Sequence, residues 1–282
     1  MKSTLISVDE LAQLAPAEVL IVDCRHDLAD LDKGERDYRQ GHIPGAVFAS
    51  LDRDLSDLTR EPLGLGRHPL PLEESFSAVL GRWGWRPGLQ VVSYDAGNGA
   101  LAAARLWWLL RVSGVHEVAV LDGGFAAWTA AGKPLSQDVP QRESTKVALH
   151  YDASQFLLDH TAVGQLKTEL LLDARATPRY TGEVEPIDRA PGHVPGAANR
   201  PFADNMQTDG HFKSADVLRQ EFLAALGNHL PEQVVHMCGS GVTACHNVLA
   251  MEHAGLAGSR LYAPSWSGWV SDPSRPVATG GG

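Results

Sequence analysis

The feature that most constrains this chain is that it repeats itself. "LIVDCR" (Leu20 to Arg25) returns as "LLDAR" (Leu171 to Arg175), and "GHIPGA" from Gly41 returns as "GHVPGA" from Gly192. "QVVSYD", ending at Asp95, returns as "QVVHMC", ending at Cys238, and "LDGGFAAW" near Trp128 finds a weaker echo in "YAPSWSGW" near Trp269. The order is kept and the spacing drifts by only a few residues, so the chain reads as one domain duplicated. Its 282 residues agree, at roughly 150 residues per domain. Within each half, short β-rich runs ("VLIVD", "LQVVSY", "HEVAVLD"; then "LLLD", "QVVHM") alternate with helical ones ("ALAAARLWWLLRV", "TACHNVLAMEHAG"). That alternation predicts an α/β layered domain with a buried parallel sheet, twice over. The polar, proline-containing run "SQDVPQREST" (Ser136 to Thr145) reads as the divider. It gives a first domain over 1–137, a linker over 138–146 and a second domain over 147–282. Ser7 and Glu10 form a capping-box pattern that opens a short helix.

Composition sets the outer limits. A 44% hydrophobic and 21% charged chain can bury real cores. No stretch approaches the ~20 apolar residues of a membrane span, so no membrane association is expected. The start "MKSTLISVDELAQL" lacks an apolar h-region, so no secretory signal is expected. Three cysteines, Cys24, Cys238 and Cys245, are too few for a disulfide framework and point to a reducing, cytoplasmic setting. A net charge of −10 disfavours nucleic acid as a partner, yet one arginine and a helix N-terminus suffice to hold a small anion.

The duplication serves as an internal control. What both halves share belongs to the fold; what one half alone carries is a candidate for chemistry. His42 and His193 lie in the shared "GH[IV]PGA" motif, where a structural role is favoured over a metal pair or a base. Asp23 with Arg25 and Asp173 with Arg175 are shared too, and orient loops. Cys24 and Cys245 read as small buried hydrophobes. Cys238 differs, because Asp95 is its counterpart; so does Arg179, whose counterpart is Ala29. In "HMCGSGVTACH", Cys238 sits between a strand and a helix beginning near Thr243. There the N–H groups of turn and helix point at its sulfur and stabilise the thiolate. Gly239 and Gly241 suit such a cradle, Ser240 sets a hydroxyl on its rim, and Thr243 is a candidate N-cap. These features favour a nucleophile over a buried structural thiol. Cys238, Cys245 and His246 lack metal-ligand spacing, so no metal is expected. A phosphatase loop would carry Arg six positions after the cysteine, where Ala244 stands.

These residues resemble the tandem rhodanese-like sulfurtransferases over nearly the whole chain. "CGSGVTA" looks like the active-site loop of the mercaptopyruvate branch, and "VDCR", "GHIPGA", "LDGGFAAW" and "SWSGW" fit the flanking patterns. The resemblance implies two tandem rhodanese-like domains, the first inactive with Asp95 at the cysteine position. It implies transfer of sulfur from 3-mercaptopyruvate through a Cys238 persulfide to cyanide, a small thiol or a thioredoxin-like protein, without a cofactor. Thiosulfate is the alternative donor, and a non-catalytic binding module is the reading from another class. Carried over by motif, Arg179 in "TPRYTGE" would grip the anionic donor, with Gly239, Gly241, Val242 and Thr243 forming the loop around it. Ser240 would relay a proton, and Asp52 in "ASLDRD" and His68 in "GRHPLP" would be lent by the first domain. The family also places an arginine shortly after the first, as in "EPRDG". Here "EPID" puts Ile187 in its place, with Arg189 two residues on. The family's "YDGSW" is "YAPSW" in this chain.

Overall fold

The computed structural model describes residues 1–97, 99 and 102–281. Ala100 and Leu101, at the head of the expected "ALAAARLWWLLRV" helix, lie outside the described residues. The first unit holds strands β1 (Leu5–Ile6), β2 (Val19–Asp23), β3 (Val47–Phe48), β4 (Gln90–Tyr94) and β5 (Val118–Leu121). Its helices are α1 (Val8–Gln13), α2 (Lys33–Gln40), α3 (Glu73–Arg82), α4 (Ala102–Val112) and α5 (Gly124–Ala130). The second unit holds β6 (Phe156–Leu157), β7 (Leu170–Asp173), β8 (Ala198–Asn199), β9 (Val234–Met237) and β10 (Arg260–Tyr262). Its helices are α6 (His160–Gly164), α7 (Thr177–Thr181), α8 (Ala215–Leu226), α9 (Ala244–His253) and α10 (Ser265–Trp269).

The two sheets have one topology. Their orders are β1-β5-β4-β2-β3 and β6-β10-β9-β7-β8, with every neighbouring pair parallel. Parallel strands covered on both faces are apolar along their whole length, and every residue of β2, β4 and β9 is buried. This is the α/β fold expected from the alternating pattern. The Ser7–Glu10 capping box is present at α1. Among the described residues, no helix is long and apolar enough to cross a membrane.

The shared motifs build the same scaffold twice. Arg25 folds back on Asp23 and donates to the Gly41 carbonyl (2.7 Å); Arg175 does the same with Asp173 and the Gly192 carbonyl (2.7 Å). Each guanidinium also lies over an aromatic ring, Phe125 in one unit and Trp266 in the other. His42 stacks on Tyr38 and His193 on Tyr180, and each Nδ1 bonds the carbonyl of the tyrosine it covers (2.8 Å in both). These side chains clamp loops to strand ends. Removing one partner of such a buried pair typically costs about 3–5 kcal/mol.

The compact units do not follow the sequence repeat throughout. Residues 57–70, from the first repeat, pack with the second unit, whereas residues 208–212, from the second repeat, pack with the first. The polar run after Ser136 has no regular structure, and the segment up to Asp152 belongs to the first unit. It is held there by hydrogen bonds from Thr145 N–H to the Gly81 carbonyl (3.0 Å), from Leu149 N–H to Ser77 Oγ (3.0 Å) and from Asp152 N–H to the Val112 carbonyl (2.8 Å). Backbone polarity therefore binds this run to a domain as a strap, although its composition is that of a linker.

Candidate active site

Strand β9 ends at Met237, and the next residue, Cys238, begins a turn that leads into α9. Cys238 is 1% exposed. Its Sγ accepts a hydrogen bond from the Gly241 N–H (3.2 Å). Gly241 has φ +76°, and a Cβ there would lie 2.3 Å from the Ala263 carbonyl oxygen, so a glycine is required for the chain to close this turn. Thr243 occupies the N-cap position of α9, but its hydroxyl makes no cap bond. Val242 is buried beside it.

The turn is braced from behind by α10. Trp266 N–H donates to the Cys238 carbonyl (2.9 Å) and Ser267 N–H to the Gly239 carbonyl (2.8 Å). Ser265 Oγ accepts from the Cys238 N–H (3.1 Å) and donates to the Tyr262 carbonyl (3.0 Å). The first unit has the same bracing, with Phe125 N–H on the Asp95 carbonyl (2.9 Å) and Ala126 N–H on the Ala96 carbonyl (3.0 Å). There, the Asp95 Oδ1 accepts from Gly97 N–H (3.4 Å) and Gly99 N–H (2.8 Å). In both units the side chain at this position accepts from backbone N–H groups of its own turn, Gly97 and Gly99 for Asp95 and Gly241 for Cys238.

The rim of the second cradle is polar. Ser240 Oγ and His68 Nδ1 share a 2.8 Å hydrogen bond, and both residues belong to the second unit. The sequence repeat assigns His68 to the first domain, and its segment, residues 57–70, packs with the second unit. Asp52 stays in the first unit, half-buried in the turn that follows Leu51. Above Gly239 stand two guanidinium groups. A Cβ at Gly239 would be 3.2 Å from Arg67 Nη2, 3.6 Å from Arg179 Nη1 and 3.7 Å from Arg179 Nη2. Arg179 is held by Glu185 (Nη2 to Oε1, 2.7 Å; Nε to Oε2, 3.2 Å) and by Asp188 Oδ2 (3.0 Å). Arg67 pairs with the other oxygen of Asp188. Burial raises the Asp188 carboxyl above the usual aspartate range, against the pull of Arg67 and Arg179. Burial also pushes Glu185 up, but the bonds from Arg179 and from the Asp188 and Ile187 amides outweigh it and hold its carboxyl low.

The remaining candidates fall elsewhere. Arg189 donates to the Ser271 carbonyl (3.1 Å). It lines, with Arg67, Ile187, Asp188 and Ser267, a pocket of about 470 Å³, and Ile187 is exposed. Cys24 and Cys245 are fully buried. Burial, then the nearby Asp23 and Asp95, push the Cys24 thiol far up, which keeps it inert. Cys245 Sγ donates to the Gly241 carbonyl (3.3 Å). Among the described residues, Cys238, Cys245 and His246 do not converge as a ligand set, and His246 Nδ1 faces the Asn205 amide (3.0 Å). Arg67 was not singled out by sequence. Its one signal is its place beside His68 in "GRHPLP".

Known proteins match this chain over nearly its whole length. The rhodanese-like domain model matches residues 7–131 and 157–272. A probable 3-mercaptopyruvate sulfurtransferase of Pseudomonas aeruginosa is 47% identical over 280 residues, covering 98% of both chains. A putative thiosulfate sulfurtransferase of Mycobacterium tuberculosis is 41% identical, covering 98% of this chain and 97% of that one. Among solved structures, the 3-mercaptopyruvate sulfurtransferase of Leishmania major superposes with a TM-score of 0.83 at 31% identity, covering 96% of this chain and 76% of that one. On sequence, duplication and fold together, the chain belongs to the rhodanese-like family and carries two such domains in tandem.

Proposed function

We propose that this protein is a sulfurtransferase that takes sulfur from 3-mercaptopyruvate through a Cys238 persulfide. The observation that carries the reading is the buried Cys238 sulfur held by the Gly241 N–H in the turn before α9, where the other unit has Asp95. The Gly241 N–H, held in place by the turn, is a preorganised dipole that stabilises a thiolate or persulfide anion on Cys238. In the first step the Cys238 thiolate attacks the sulfur of the donor. An S–S bond forms, the C–S bond breaks, and its electron pair goes to carbon as the enolate of pyruvate. That enolate takes up a proton, for which the Ser240–His68 hydrogen bond is the relay. In the second step cyanide, a small thiol or a thioredoxin-like protein thiol attacks the outer sulfur, and Cys238 leaves as the thiolate. Arg179 binds the anionic group of the donor, Val242 and Thr243 line the loop, and Asp52 keeps the supporting role that the resemblance implies. The cycle needs no cofactor. Three cysteines outside any disulfide fit a reducing compartment, here the cytoplasm.

The name of the Pseudomonas aeruginosa relative supports mercaptopyruvate as donor; that of the Mycobacterium tuberculosis relative favours thiosulfate as the second reading. Steady-state kinetics with each donor decides between them. A higher kcat/KM for mercaptopyruvate is expected, and a clear excess for thiosulfate would replace it. Mass spectrometry after donor treatment should show one added sulfur, about 32 Da, on the wild type and on the Cys24→Ser and Cys245→Ser variants but not on Cys238→Ser. Absence of the adduct with both donors would leave a binding module instead.

A further inference from the structure

The arginine that the resemblance expects soon after Arg179 is missing, because Ile187 stands there with an exposed side chain. Nevertheless, a second guanidinium reaches the cysteine loop from a different segment. Residues 57–70 pack with the second unit, and the loop is pinned close to α10. A Cβ at Gly66 would fall 2.4 Å from the Pro264 carbonyl oxygen, and the next residue, Arg67, donates its N–H to Ser267 Oγ (3.0 Å). Those anchors fix the backbone from which the Arg67 side chain extends.

The hydrogen-bond inventory of the two arginines shows which donors remain. Asp188 receives Arg67 through Nη1 and Arg179 through Nη2, one on each carboxylate oxygen. Glu185 takes Nε and Nη2 of Arg179. Arg67 Nη2 and Arg179 Nη1 make no hydrogen bond among the described residues, and they are the atoms nearest to a Cβ built on Gly239, at 3.2 Å and 3.6 Å. The carboxylates therefore orient both forks, and the unspent N–H groups of each converge beside the residue that follows Cys238. Neither guanidinium is fully buried, with side-chain exposures of 24% and 18%, so an incoming anion can meet both. Charge-assisted bonds from two guanidinium groups are the strongest recognition a small carboxylate finds in a protein.

We propose that Arg67 is the second cation of the donor site: it binds, together with Arg179, the carboxylate of the sulfur donor, in place of an arginine at position 187. This rests on the sulfurtransferase reading above and adds that donor recognition is shared between two segments far apart in sequence. Arg67 acts in donor binding only. It takes no part in the attack by Cys238 or in sulfur delivery to the acceptor.

The two half-reactions separate this role from a structural one. In a ping-pong cycle kcat/KM for the donor reports sulfur loading, and kcat/KM for the acceptor reports discharge. With mercaptopyruvate as donor and the neutral thiol 2-mercaptoethanol as acceptor, Arg67→Gln should lower donor kcat/KM about tenfold or more, mainly through KM. Its acceptor kcat/KM should stay within about twofold of the wild type. Arg67→Lys, which keeps the charge facing Asp188 but not the planar fork, should fall between the two and serves if the glutamine variant folds poorly. An unchanged donor kcat/KM in both variants, or donor and acceptor values falling together, would overturn the assignment. Wild-type persulfide loading, read by mass spectrometry, tests the underlying reading separately. If the wild type loads and Arg67→Gln loads equally well at low donor concentration, only the role of Arg67 fails.

Discussion

Gly239 and Gly241 lie two residues apart in one turn, and they are glycines for different reasons. At Gly241 the backbone has φ +76° and a Cβ would collide with the Ala263 carbonyl at 2.3 Å. At Gly239 no positive φ is imposed, and a Cβ would meet only the ends of the Arg67 and Arg179 side chains. Gly241→Ala should therefore cost stability, by roughly 1–3 kcal/mol for the strained backbone, and should displace the N–H that faces Cys238. Gly239→Ala should fold normally and raise KM for the donor by crowding the guanidinium groups. Urea midpoints alongside donor kinetics check the contrast, and equal midpoints for the two variants would refute it. The sequence marked both positions as loop glycines, because their spacing after a cysteine is visible in one dimension. Which of them serves the backbone and which keeps space for a ligand depends on neighbours remote in sequence, Ala263 and Arg67.

At the scale of elements, the active turn depends on the start of α10. Ser265 adopts φ +53°, the one non-glycine residue with positive φ among the described residues, and it is fully buried. Such a conformation persists only when its surroundings over-determine it. Here the Ser265 hydroxyl links the Cys238 N–H to the Tyr262 carbonyl, tying the turn to the end of β10. Ser265→Ala would leave the Cys238 N–H buried without its partner, at a cost of about 1–3 kcal/mol. The expected outcome is a lower melting temperature together with slower persulfide formation. Unchanged loading kinetics would show that this bond does not hold the turn. The strands β2, β4 and β5 of the first half, β7 and β9 of the second, and one main helix in each half (α4 and α9) were legible from apolar runs and their periods, since burial on both sheet faces leaves a mark in composition; the two- and three-residue strands were too short to leave one. The role of Ser265 was not legible, because "YAPSW" departs from the family's turn and a serine gives no sign of its backbone angle.

Across the whole molecule, acid should weaken the second unit first at its sheet. His236, in β9 next to the cysteine loop, is fully buried, with Nε2 3.2 Å from Met251 Sδ and Nδ1 without a hydrogen-bond partner among the described residues. Burial, then the nearby Arg200, lower its pKa from 6.5 to about 3. The unfolded chain takes up a proton below 6.5 that the folded chain refuses until about 3, so this group's contribution to stability is complete above 6.5 and is lost as pH falls across that window. The slope approaches that of one proton, about 1.4 kcal/mol per pH unit. In His236→Leu, urea midpoints between pH 6 and 4 should decline less steeply than in the wild type, and parallel declines would exclude His236 as the cause. The sequence by itself determined the duplication, the α/β class, the scaffold pairs Asp23–Arg25 and Asp173–Arg175, and Cys238 as the reactive candidate. Each of these is written as a local pattern, and the repeat supplies its own control. Only the tertiary structure decided that residues 57–70 pack with the second unit, bringing His68 to Ser240 and Arg67 to the side of Arg179. The physical reason is that charge and hydrogen-bond complementarity act through space. An arginine in one repeat and a carboxylate in the other, Arg67 and Asp188, leave no shared period or spacing from which their pairing can be read.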